Sequence, residues 1–124
     1  MLKTSRLQTI VLTAELARAS RFYREVLGLE CLETSDGSEV FRLADGTLRL
    51  SPVQSTAPTE HTVAGFAVDD VRAVVAWLRD RGVRYERFGW VTHDDDDIVT
   101  TPDGARVAWF RDPDGNLLSV VQFE

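Results

Sequence analysis

Ala105-Arg-Val-Ala-Trp-Phe-Arg-Asp-Pro-Asp-Gly-Asn-Leu-Leu-Ser-Val-Val-Gln-Phe123 is the stretch that decides how this chain is read. Two apolar runs, rich in β-branched and aromatic residues, flank Asp112-Pro113-Asp114-Gly115-Asn116. Pro113 presets φ for a turn, Gly115 supplies a left-handed position, and the Asp and Asn side chains can bond turn amides. The stretch predicts a hairpin. Strand alternation then puts Val107, Trp109 and Arg111 on one face and Ala108 and Phe110 on the other, with Leu117, Ser119 and Val121 alternating with Leu118 and Val120.

Upstream, the same grammar occurs twice. Residues 7–13 read as a strand, after which Thr13 or Glu15 opens a helix whose stripe is Leu16, Ala19, Ser20, Tyr23 and Leu27 and whose stop is Gly28. Strands follow at 29–35, 39–44 and 47–53, joined at Asp36-Gly37 and Asp45-Gly46. A polar, proline-bearing stretch over 51–60 reads as the connection. Residues 61–68 form the next strand, and Asp69 or Asp70 caps a helix built on Val71, Val74, Val75, Leu78 and Val83 and stopped by Gly82. A strand over 85–92, a polar excursion through His93–Asp97 and Thr101–Gly104, and the terminal hairpin complete the chain. The period is about 55 residues. These elements predict one α+β domain over 1–124, made of two βαβββ modules at about 1–53 and 61–124. Each helix covers one face of its sheet, so the expected whole is a curved eight-stranded mixed sheet around a cleft.

A net charge of −6 over 124 residues, with no Lys/Arg stripe, excludes a nucleic-acid footprint. No apolar run approaches the roughly 18 residues of a membrane span. The first residues lack a secretory pattern, so the expected location is the cytoplasm. A single cysteine, Cys31, excludes an internal disulfide and reads as a strand thiol buried in the core.

Phe22-Tyr23-Arg-Glu-Val-Leu27-Gly28-Leu29, Phe66-Ala-Val-Asp69-Asp70-Val71 and Phe110-Arg-Asp112-Pro-Asp-Gly115-Asn116 resemble three landmarks of the vicinal oxygen chelate superfamily, in order and over nearly the whole chain. That superfamily includes glyoxalases, extradiol dioxygenases, fosfomycin-modifying enzymes and bleomycin-binding resistance proteins. The resemblance implies the fold, a homodimer, and in the enzymes one divalent metal held by four cleft side chains. Those four positions fall here on Gln8, Arg49, Val63 and Ser119. Arg is cationic and Val has no donor, so only Gln8 suits a ligand role. A rebuilt site on Gln8 and His61 would still lack a carboxylate, and His61 reads as a surface or rim residue.

The reading is therefore metal-free binding of a small anionic or aromatic molecule, like the drug-sequestering members, and it leans away from catalysis. The alternative is a lyase, isomerase or dioxygenase with a non-standard divalent-metal site. The expected ligand-binding residues are Gln8, Ile10, Arg49, Val63, Val107, Trp109 and Ser119, with Trp109 as a stacking surface and Arg49 pairing an anion. Phe41, Phe88 and Trp90 are candidates for the rim or wall. Phe22, Tyr23 and Trp77 read as core packing, and Asp94–Asp97 as a solvated, mobile acidic loop rather than a Ca²⁺ site.

Overall fold

Two βαβββ units, Met1–Ala57 and Pro58–Glu124, make up the chain. The structure is a computed structural model that describes residues 1–35 and 37–123, with Ser35 described in its backbone alone. Asp36 of the expected Asp36-Gly37 turn lies outside the described residues. The first unit runs β1 (Gln8–Thr13), α1 (Leu16–Arg21), β2 (Glu30–Ser35), β3 (Ser38–Leu43) and β4 (Gly46–Pro52). The second runs β5 (Thr62–Ala67), α2 (Val71–Asp80), β6 (Val99–Thr100), β7 (Arg106–Arg111) and β8 (Leu117–Gln122). Each unit carries its own four-stranded mixed sheet, ordered β1-β4-β3-β2 and β5-β8-β7-β6. The first and last strands of each unit pair in parallel across the helical crossover.

In the first unit, Val11, Leu48, Leu50 and Phe41 are buried, as are Ala19 and Tyr23 from the helical segment; the Tyr23 and Phe41 rings lie 6.0 Å apart. The sequence predicts a regular helix to Leu27. After Arg21 the backbone instead widens into a π-turn over Phe22–Val26, closed by Leu27 N–H donating to Phe22 O at 3.0 Å. The extra residue per turn shifts the apolar stripe, and Leu27 ends only half-buried. Gly28, at φ 73°, then lets Leu29 N–H reach back to Tyr23 O. Cys31 lies on β2 and is half-buried rather than in the core.

In the second unit, Asp70 caps α2 by accepting from Ala73 N–H at 3.1 Å, and the Gln122 amide oxygen accepts from Val71 N–H at 3.0 Å. Val71, Val75 and Leu78 are buried, as are Phe110, Leu118 and Val120. Trp77 is not core: it is 43% exposed and covered by the Arg81 guanidinium, 4.0 Å from the ring centroid. The expected strand over 85–92 is also corrected. Only Tyr85 bridges, to Phe110, and the edge strand is the two-residue β6 at Val99–Thr100. Apolar Phe88 and Trp90 suggested strand, but Gly89 weakens one there and the Tyr85 hydroxyl is drawn to Val75 O at 3.0 Å.

The terminal hairpin forms as its turn residues dictate. Asp112 Oδ1 accepts the amides of Asp114 and Asn116, both at 2.9 Å, while Oδ2 accepts the Asn116 side-chain amide at 2.9 Å. Gly115 has φ 85°, and an added Cβ would meet Pro58 Cα at 3.0 Å. Asp112→Ala strips three hydrogen bonds from a buried turn and is expected to cost on the order of 3 kcal/mol, read as a lowered urea midpoint with unchanged slope.

Candidate functional site

Register assigns the open face of the second sheet. Trp109 and Gly65 both pair with Ser119, Val107 and Ala67 both pair with Val121, and Arg111 pairs with Leu117. These residues share one face, because opposed residues in a ladder point the same way. Phe110, Leu118 and Val120 point oppositely, toward the side where Gln122 receives α2.

Loop 85–98 builds an aromatic wall over this face. Phe88 and Trp90 stack with centroids 5.6 Å apart and planes at 23°. Phe88 meets Trp109 edge-on at 5.3 Å, and Trp90 lies 6.5 Å from Trp109. With His61, Thr62 and Leu117 they line a cleft of about 440 Å³. Trp90 is 75% exposed although its ring is held. Glu60 and Arg111 border the same cleft. Arg111 is committed: it donates to Thr59 O at 2.8 Å and Gly115 O at 2.7 Å, and pairs with Glu86 at 3.1 Å. A second depression of about 460 Å³ holds Gly65, Ala67, Val107, Ser119 and Val121.

What holds the wall is the segment expected to be a mobile acidic loop, and that expectation is corrected. Asp94 Oδ1 accepts the amides of Asp96 and Ile98 at 2.9 and 3.0 Å. Arg72 of α2 pairs with Asp94 at 3.0 Å and Asp96 at 2.7 Å, Arg79 pairs with Asp97 at 3.0 Å, and Arg87 also pairs with Asp97. Cations interleave the carboxylates, so the run folds onto the helix. The ordered loop presents His93, whose Nε2 accepts from Phe88 N–H at 2.8 Å while Nδ1 meets Asp97 O at 3.0 Å. A carbonyl only accepts, so Nδ1 carries the hydrogen and the ring pins Phe88 as a neutral tautomer. Phe88 and Trp90, expected as candidates for a rim or wall, form the wall; His93 was not expected here, and its signal was its place beside acids that match arginines on α2.

On the first sheet, Gln8, Ile10 and Arg49 share a face: Ile10 pairs with Arg49, and Arg49 Nε donates to Gln8 Oε1 at 3.3 Å. Ile10 is 57% exposed. Gln8 Nε2 donates to Thr47 Oγ1 at 3.0 Å. Among the described residues no carboxylate pairs with Arg49. A third depression, about 590 Å³, opens at the Asp45-Gly46 end and includes Gln8 but not Arg49. Phe41, a candidate wall residue, is instead buried beside Tyr23. Of the remaining expected residues, Val107, Trp109 and Ser119 share the open face of the second sheet. Val63 falls at the irregularity between Thr62 and Ala64, has no register partner and lines neither depression of this unit.

The donor set does not fit a divalent ion. The Gln8 amide oxygen already faces a guanidinium, Arg49 repels a cation, Val63 offers no donor, and His61 stands at the rim of the aromatic cleft. Among the described residues, no three His, Cys, Asp or Glu side chains converge.

Residues 6–120 match the family model described as the Glyoxalase/Bleomycin resistance protein/Dioxygenase superfamily. No curated protein matches the chain. Among solved structures, TnmS3, an antibiotic-binding protein from Streptomyces sp. CB03234, is 25% identical, with 100% of this chain and 99% of that one covered and a TM-score of 0.71. Lactoylglutathione lyase from Agrobacterium tumefaciens is 23% identical, covering 96% and 93%, at 0.72. A superfamily member from Sphaerobacter thermophilus DSM 20745 is 19% identical, covering 99% and 100%, at 0.78.

Partial burial alone would raise the Asp94 pKa, but the Ile98 amide and the Arg72 guanidinium outweigh it and hold the carboxyl below its ordinary 3.8. A depressed folded value means the clasp contributes fully above that ordinary value and loses its contribution as pH falls through the folded one. Wild type is therefore expected to melt above Asp94→Asn at pH 7, with the gap closing as the pH is taken toward 2. A gap that stays constant with pH contradicts the assignment.

Proposed function

The chain belongs to the glyoxalase/bleomycin resistance protein/dioxygenase superfamily, and from that premise we propose that it binds a small planar aromatic molecule, without a metal, in the aromatic cleft of its second unit. One observation carries the reading: Trp90 is held against Phe88 and above Trp109 yet remains 75% exposed. A large ring fixed in water forgoes the stabilisation of burial, and a flat ligand sliding beside it restores that stabilisation. The cleft volume falls in the range of small-molecule sites, and its lining has the usual mix of aromatic surface and a few polar groups. Because the wall is pinned by His93 and the arginine clasp, little ordering cost remains for binding. Similarity to an antibiotic-binding protein over the full chain supports sequestration, which needs only a shaped site. The lyase, isomerase or dioxygenase alternative requires donors that these positions do not supply.

A second reading, on the first sheet, rests on Arg49. Its guanidinium has spare N–H donors beside Gln8 and no acidic partner among the described residues, so it suits a ligand carboxylate or phosphate.

Quenching of tryptophan fluorescence by 2-naphthoate, with EDTA present, tests both. Trp90→Ala is expected to weaken binding about tenfold, the order of one lost aromatic stack, while the melting temperature holds because the ring is exposed. Unchanged affinity in Trp90→Ala contradicts the cleft. A loss confined to Arg49→Ala favours the anion seat instead.

A further inference from the structure

We infer that the ligand of the aromatic cleft carries an oxygen on its ring system, a ketone or a phenol, which hydrogen-bonds the Ser119 hydroxyl, and that Gly65 keeps that hydroxyl open. The inference rests on the cleft reading above and names the chemical class of its occupant.

Ser119 is 6% exposed, and among the described residues no hydrogen bond engages its hydroxyl. Its oxygen is not among the fully buried polar atoms left without a partner, so it is reachable from the depression it lines and free to bond a ligand. Ser119 lines the 460 Å³ depression and is the cross-strand partner of Trp109, whose ring floors the neighbouring aromatic cleft. Directly opposed residues in an antiparallel pair hold their Cβ atoms roughly 5 Å apart, so the two depressions adjoin at this pair. A flat ring lying on Trp109 therefore extends its edge toward Ser119. A hydroxyl both donates and accepts, so it serves a carbonyl or a phenol alike.

Gly65 faces Ser119 from the other side, on β5. A Cβ built there would stand 2.9 Å from Ser119 Oγ, closer than such contacts normally come. The absent side chain thus leaves an approach to the hydroxyl that a single methyl group closes. The rest of this depression is apolar around Ala67, Val107 and Val121, while its edge carboxylate, Asp103, is already engaged by Thr101. Ser119 is thus the unengaged polar group over which a ring oxygen can settle, and a hydrocarbon of the same outline leaves it unpaired.

The test compares 9-fluorenone with fluorene, two rings of one outline that differ in the carbonyl, by fluorescence titration of wild type, Ser119→Ala, Gly65→Ala and Trp90→Ala. Wild type is expected to bind 9-fluorenone about tenfold more tightly than fluorene, the order of one buried hydrogen bond. Ser119→Ala and Gly65→Ala are expected to erase that preference, and Trp90→Ala to weaken both probes while keeping it. Equal affinity for the two probes in wild type, or a preference that survives Ser119→Ala, overturns the inference and leaves the cleft standing. Failure of both probes to bind, with Trp90→Ala indistinguishable from wild type, overturns the cleft reading and this inference with it. Should Gly65→Ala fold poorly, Ser119→Ala decides alone.

Discussion

Asp112 occupies the corner on which the second unit turns. Its carboxylate gathers two backbone amides and the Asn116 side chain, and that sets the register of β7 against β8. Strand periodicity makes the register all-or-none: a slip of one residue would carry Trp109 and Ser119 to the α2 side and bring Phe110 and Leu118 into water. Arg111, the next residue back, spends its guanidinium on Thr59 O, Gly115 O and Glu86, tying the start of the unit to the same corner. The floor of the aromatic cleft therefore depends on polar contacts at its border.

The wall above the floor follows a different logic. Exposed ion pairs contribute little one at a time, and the arginine–aspartate clasp gains its effect by acting with the Asp94 backbone bonds and the His93 ring. Together they hold Phe88 and Trp90 in place without burying Trp90. Stability and binding are divided here: the arginine–aspartate clasp and the neutral His93 ring order the loop, while Trp90 is left exposed for a partner.

The parts of the fold that the sequence expressed locally were legible. Glycines at positive φ, turn pairs such as Asp45-Gly46, and the Asp70 cap act within a few residues, so their chemistry can be read in order along the chain. The parts that failed depend on distant partners. Asp94–Asp97 read as mutual repulsion because Arg72 and Arg79 stand a helix away. Residues 85–92 alternated well enough for a strand, but their backbone is taken by His93 and by the Trp109 carbonyl, which accepts Glu86 N–H. Val63 was placed only by its distance from a family landmark, and it falls at an irregularity in β5 that such a distance does not register. Trp109 and Ser119 could be put on one face from the hairpin alone, and Phe88 and Trp90 named as wall candidates; the His93 and arginine contacts that hold them there could not be read.

The most direct test uses the three tryptophans as internal reporters. Indole N–H resonances of ¹⁵N-labelled protein are followed during titration with 9-fluorenone, in EDTA throughout. The expected result is saturable shifts at Trp90 and Trp109 with Trp77, under Arg81 on α2, unmoved. Shifts at Trp77 alone, or no shift at Trp90 and Trp109 while the ligand binds, would contradict the assignment of the cleft as the binding site.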